Sequence, residues 1–212
     1  MTPIIVCIKV GTKYDATYVN RLAFHVEQHT TVPHEFLCLT DDPVGVLCPT
    51  APIDTDLPGW WSKLVLFKPH WALKDRRVVF LDLDTVIVGN IDFLLEYDGP
   101  FCILRDFYRP ETYGSAVMSF APGCEEIWDT FQQDVMRTMH GDQDWLLQCI
   151  DPSLADRWQD LYPGKIVSYK VHCSQGIPEG ARVICFHGSP RPHEVTHLTW
   201  MQEHWHDRCP VA

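Results

Sequence analysis

The chain has 212 residues, 46% hydrophobic and 21% charged, the balance of one well-cored domain rather than a disordered or membrane-spanning chain. Lys and Arg number 17 against 28 Asp and Glu, a formal charge of −11, which argues against nucleic acid or an anionic lipid surface as partner. No apolar run nears the ~20 residues of a transmembrane helix.

The start, "MTPIIVCIKV", lacks a basic leader and reads as a buried strand rather than a signal peptide. "YVNRLAFHVEQH" spaces Val19, Leu22, Ala23 and Val26 for a helix. "EFLCLT" is a second strand, and "DDPVGVLCP" gives a turn and a short third one. Residues 49 to 59 read as loop. "WWSKLVLFKPHW" predicts a helix cut by Pro69, residues 76 to 82 a strand, and "NIDFLLEY" a short helix opened at Asn90. "PFCILRDF" and "GSAVMSF" are two more strands; "PGCEEIWDTFQQDVMRTM" and "DQDWLLQCI" are helices. "KIVSYK" and "ARVICFHG" are late strands, and a helical segment over about 194 to 206 closes the chain.

Alternating strand and helix in the first half predicts an α/β fold, a single domain over 1–212 with a mostly parallel central sheet and helices on both faces. Ligands of such sheets bind beyond the carboxyl ends of the strands. The nine cysteines form no CxxC pair, and several lie in apolar strands (Cys7, Cys38, Cys102, Cys185). They read as free thiols in a reducing, cytoplasmic setting.

"VVFLDLDTVIVGNID" ends an apolar strand on Asp82 and Asp84. In extended backbone, residues i and i+2 share a side, so both carboxylates can reach one divalent cation, Mn²⁺ or Mg²⁺. The bland alternative is two aspartates capping turns in solvent. "VICFHGSPRPH" repeats the strand-end pattern with His187 as a third metal ligand, and Arg191 can fork onto phosphate. Asp142 and Gln143 open a predicted helix after Gly141, where capping and a contact to substrate stand about even for Asp142.

Trp60 and Trp61 read as core or lid packing. The histidines near Trp200 and Trp205 (His193, His197, His204, His206) admit a docked amphipathic helix, a metal site of no clear chelate spacing, or an acceptor-binding element. Ser168, Tyr169 and Lys170 could aim a base at a ligand, with a surface lysine as the default.

From about residue 4 to residue 205 the chain resembles GT-A-fold glycosyltransferases, near the glycogenin-like family 8 group and its small bacterial and viral relatives. "IKVGTKYDATYVNRL", "GWWSKLVLF", "VVFLDLDTVIVGNIDFLL", "YGSAVMSF", "GDQDWL" and "CFHGSPRPH" carry the likeness in order. The resemblance implies a metal-dependent hexosyltransferase acting with retention of anomeric configuration. Asp82, Asp84 and His187 would hold Mn²⁺ on the diphosphate of a nucleotide sugar, preferably a UDP-sugar. Tyr14 would lie against the base, and Lys63, Asp106 and Ser115 would line the sugar pocket. Asp142 and Gln143 would sit near the anomeric carbon, and Arg191 would replace the family's phosphate-binding lysine. The acceptor would be a glycan, a lipid-linked glycan, a protein or a small molecule. Two departures stand out: Gly114–Ser115 where the family often has asparagine followed by serine or threonine, and only three residues between His187 and Arg191. Competing readings are a haloacid dehalogenase-like phosphatase, with Asp82 as nucleophile, and a non-catalytic binding protein of the same fold.

Overall fold

The structure is a computed structural model and describes residues 2–206. Residues 1 and 207–212, the ends of the expected 1–212 domain, lie outside that range. The order of elements is β1 (Ile4–Lys9), α1 (Ala16–Gln28), β2 (Glu35–Thr40), β3 (Thr50–Pro52), a 3-10 helix (Gly59–Phe67), β4 (Val78–Leu81), β5 (Thr85–Ile87), α2 (Asp92–Leu95), β6 (Phe101–Arg105) and β7 (Tyr113–Phe120). There follow α3 (Glu126–Asp129), a 3-10 turn (Gln133–Arg137), α4 (Asp142–Cys149), β8 (Asp156–Arg157), α5 (Trp158–Leu161), β9 (Ile166–Ser168), α6 (Tyr169–His172), β10 (Val183–Cys185), a 3-10 turn (Pro192–Val195) and α7 (Thr199–His204).

Seven strands form one sheet in the order β3-β2-β1-β4-β7-β6-β8, and β5-β10-β9 form a second. Strands β1 to β4 pair in parallel, β7 runs antiparallel to β4 and β6, and β8 is parallel to β6. The expected mostly parallel sheet is present. Alternation along β1 sends Ile5 and Cys7 into one apolar cluster and Ile4 and Val6 into another, so both faces are covered. On the first face lies α1, capped by Asp15, which accepts from Thr17 N at 3.0 Å; Tyr18, Val19, Leu22 and Val26 are buried at helical spacing. On the other lie the Gly59–Phe67 helix and α4, through Trp61, Leu64, Trp145 and Leu146.

Several expected elements differ. The short third strand falls at Thr50–Pro52, in residues read as loop, while Val44 and Leu47 are exposed and Gly45 has φ +78°. The segment after Gly59 is a 3-10 rather than an α-helix and stops at Phe67: Lys68 precedes a proline and is extended, with ψ 138°. The long helix expected over 122–139 breaks at Gln132, extended at ψ 140°, and Phe131 packs against both Trp61 and Trp145 at 5.6 Å. The strand expected through Lys170 ends at Ser168, whose hydroxyl caps α6 by accepting from Val171 N. The closing helical segment is two short pieces, Pro192–Val195 and Thr199–His204.

Candidate active site

The Asp82–Asp84 segment is the crossing from one sheet to the other. Strand β4 ends in the large sheet at Leu81, β5 begins in the small one at Thr85, and Thr85 N donates to the Asp82 carbonyl at 3.1 Å. The two aspartates therefore occupy a tight turn rather than the extended backbone inferred from their i, i+2 spacing. Leu83 between them is buried at 3% exposure, packed in the apolar cluster of the α1 face. Strand β10 pairs with β5, and Phe186 N donates to the Asp84 carbonyl at 3.0 Å, which ties the "FHGSPR" loop to the aspartate turn.

One cavity of about 660 Å³ opens there, and all ten residues singled out from the sequence line it: Tyr14, Lys63, Asp82, Asp84, Asp106, Ser115, Asp142, Gln143, His187 and Arg191. Lys63 bridges two of these residues. Its ammonium donates to Asp82 Oδ2 at 2.7 Å and to Ser115 Oγ at 3.1 Å. Burial opposes its charge, but Asp82, Asp142 and Asp84 overcome that and raise its pKa. Desolvation pushes the Asp82 carboxyl up to about 6 against the pull of Lys63, and it raises Asp84 as well. Tyr14 donates its phenolic hydrogen to Asp84 Oδ2 at 2.6 Å; burial and then the Asp84 charge raise the pKa of that phenol, so it stays a donor.

Asp142 is 3% exposed and is not the cap of α4. The N-cap is Gly141, and Asp144 reaches back to accept from His140 N at 3.1 Å. Among the described residues Asp142 Oδ2 is buried without a hydrogen-bond partner, and burial raises the carboxyl's pKa. A buried carboxylate oxygen without a protein partner is costly, which leaves it open to a group from outside the chain.

His187 Nε2 lies 2.7 Å from Ser168 Oγ, its ring stacks on Phe107 at 6.0 Å, and burial and then Lys170 lower its pKa. The imidazole is neutral near pH 7, as a metal ligand must be. Among the described residues, no three His, Cys, Asp or Glu side chains form a preassembled metal cage, so His187 shares the cavity with the aspartates without closing on them. Arg191 lies 5.6 Å from the Tyr14 ring centroid. Asp106 spends Oδ1 on Tyr108 N and Arg109 N, at 2.9 and 2.8 Å, a turn-forming role in addition to its place on the wall. At Gly114 a Cβ would lie 3.4 Å from the Arg105 carbonyl and from Leu104 Cβ, beside the β6–β7 register shift. These are ordinary van der Waals distances, so the backbone there leaves room for a side chain.

Sequence reasoning did not assign Lys13, Phe107, Tyr108 and His140 to the wall, and it read Trp60 as packing. Lys13, Tyr108 and His140 fall between the expected elements, Phe107 at the end of an expected strand and Trp60 at the start of an expected helix. Only the exposure of a large aromatic could have flagged Trp60 and Tyr108, and exposure is a tertiary property.

No protein-family model matches the sequence, and a search of curated proteins finds no match. Among solved structures the fold is that of the GT-A-type glycosyltransferases. The chain is similar to the glycosyltransferase GlyE of Streptococcus pneumoniae TIGR4 (TM-score 0.65, 14% identity, 90% of this chain and 56% of that one). It is similar to the bifunctional glycosyltransferase WbbM (0.64, 12%, 95% and 51%). It also resembles the galactosyltransferase LgtC, solved with donor and acceptor sugar analogs (0.62, 13%, 94% and 93%). The chain spans about half the length of GlyE and WbbM and nearly all of LgtC. At these identities the likeness concerns the fold. No helix among the described residues is long and apolar enough to cross a membrane.

Proposed function

We propose that the protein is a glycosyltransferase that moves a hexose from a nucleoside-diphosphate donor, preferably a UDP-sugar, to an acceptor hydroxyl with retention of anomeric configuration, using Mn²⁺ or Mg²⁺. The observation that carries this is a cluster of desolvated carboxylates inside the cavity. Asp82, Asp84 and Asp142 all act on the Lys63 ammonium, burial raises the pKa of each, and with Asp106 they outnumber the cavity's cations Lys13, Lys63 and Arg191 by four to three, so a divalent ion would relieve charges that are costly to bury. Oxygen-rich donors suit such an ion, and neutral His187 is the third donor.

When bound, the ion neutralises charge on the diphosphate leaving group. The protein's own groups do the rest. Arg191, at the mouth beside Tyr14, has the planar fork for a phosphate, and Lys63 holds Asp82 and Ser115 in place. The unpartnered Asp142 oxygen suits a hydroxyl of the donor sugar or the positive charge that grows at its anomeric carbon, with Gln143 beside it on the same helix turn. The bond from the acceptor oxygen to the anomeric carbon forms on the face the diphosphate leaves. The carbon–oxygen bond to phosphate breaks, and the acceptor proton passes to the departing phosphate oxygen.

The test is a thermal-shift screen of nucleotide sugars with and without Mn²⁺, followed by an assay for nucleoside diphosphate release. A Mn²⁺-dependent rise in melting temperature with release is expected. A protein that binds no nucleotide sugar under either condition contradicts the proposal, and binding without release supports the non-catalytic alternative. An inverted product seen by NMR would reject retention alone.

A further inference from the structure

The cavity mouth carries two large aromatic side chains that the chemistry above leaves unused. Trp60 is 57% exposed and Tyr108 is 62% exposed, and both line the cavity that holds Asp142 and His187. Each is held in position. The Trp60 indole N–H donates to the His140 carbonyl at 3.2 Å, and a Cβ on Gly141 would come within 3.1 Å of that nitrogen, so the glycine makes room for the ring. Tyr108 N donates to Asp106 Oδ1 at 2.9 Å, and its ring stands edge-on to His187 at 5.4 Å. One ring borders the Asp142 side and the other the His187 side.

Exposure here is not a lack of core to enter. The adjacent Trp61 is 6% exposed and packs on Phe131, so the chain buries one indole and keeps its neighbour in water. A large aromatic with few torsions and a fixed orientation loses little freedom when it binds. Its face carries the negative lobe of the ring quadrupole and suits a flat array of weakly positive C–H groups. A pyranose offers such an array on its face and hydroxyls on its edge, one of which can turn inward to the reacting carbon.

We propose that Trp60 and Tyr108 form an aromatic binding site for a carbohydrate acceptor, so that the receiving hydroxyl belongs to a glycan rather than to a peptide side chain. The inference rests on the glycosyltransferase reading and adds the class of its second substrate. The test uses methyl glycosides of glucose, galactose and N-acetylglucosamine as acceptors, a serine-containing peptide as competitor class, and the nucleotide sugar that the wild type turns over. In Trp60→Ala and in Tyr108→Ala the KM for the accepted glycoside rises tenfold or more, while the KM for the nucleotide sugar moves less than twofold; Trp60→Phe recovers most of the loss. Unchanged acceptor KM in both alanine variants, or transfer to the peptide and to none of the glycosides, overturns the inference. Binding is read independently of turnover by the Trp60 indole N–H resonance, assigned by its loss in Trp60→Phe. A saturable shift with a glycoside supports the site, and no shift with any of them overturns it. Failure to bind any nucleotide sugar strikes the glycosyltransferase reading instead, and the resonance still decides the aromatic site.

Discussion

Tyr14 and Asp84, 70 positions apart in the chain, are joined by a 2.6 Å hydrogen bond from the phenol to the carboxylate. The contact links the loop after β1 to the turn that joins the two sheets. A hydrogen bond to a charged acceptor contributes more than a neutral one, so Tyr14→Phe should lower stability by about 1–2 kcal/mol. Urea denaturation at pH 7.5 measures this. An unchanged midpoint would mean that water replaces the phenol without loss.

Lys63 balances carboxylates that burial has already raised. Removing one partner of such a cluster is far more costly than its net worth, and Lys63→Met should destabilise by about 3 kcal/mol at pH 7.5. The loss should shrink as the pH falls below the Asp82 value of about 6, where that carboxyl takes up a proton. A pH-independent loss would show that Lys63 acts through packing alone.

Asp142 separates stability from function. Its Oδ2 is buried and unpartnered, so Asp142→Asn relieves a desolvated charge and should leave the melting temperature equal or higher. Sugar transfer in the same variant should fall at least 100-fold, the scale of losing a preorganised electrostatic contact. Retained transfer would assign Asp142 to the fold.

His25 sets a pH window outside the site. It is 4% exposed, and burial together with His206 and His29 lowers its pKa to about 4 from 6.5. The unfolded chain therefore takes up the proton first. The stability that neutral His25 allows is present above about pH 6.5 and lost as the pH falls toward 4, by up to about 3 kcal/mol for a shift of this size. His25→Phe should flatten that slope in urea midpoints taken at pH 7.5 and 4.5. Parallel slopes would place the acid sensitivity elsewhere.

Part of the cavity was legible in sequence because strand ends are. Apolar runs closing on Asp82, Asp84 and His187 reported the sheet and the edge where the cavity opens, whereas Tyr14, Lys63, Asp106 and Ser115 came from the family resemblance; all ten chosen residues line that cavity. Local geometry was not legible. The i, i+2 rule supposed a continuous strand, whereas the chain turns at Asp82–Thr85 to change sheets, a choice made by the pairing of β5 with β10. The stop before Pro69 was foreseen, but the segment there is a 3-10 rather than an α-helix, and the helix expected over 122–139 is broken where Phe131 packs on Trp61 and Trp145. That Asp144 turns back to His140 N while Asp142 is buried in the cavity wall is settled by tertiary packing, which no pattern of residue types encodes.

The central claim, that the aspartate turn collects a divalent cation for a diphosphate, is most directly tested by calorimetric titration of UDP into wild type and Asp84→Asn with and without Mn²⁺. Tight binding by the wild type only when Mn²⁺ is present, lost in Asp84→Asn, is the predicted result. Equal UDP affinity with and without the metal, or in both proteins, would contradict it.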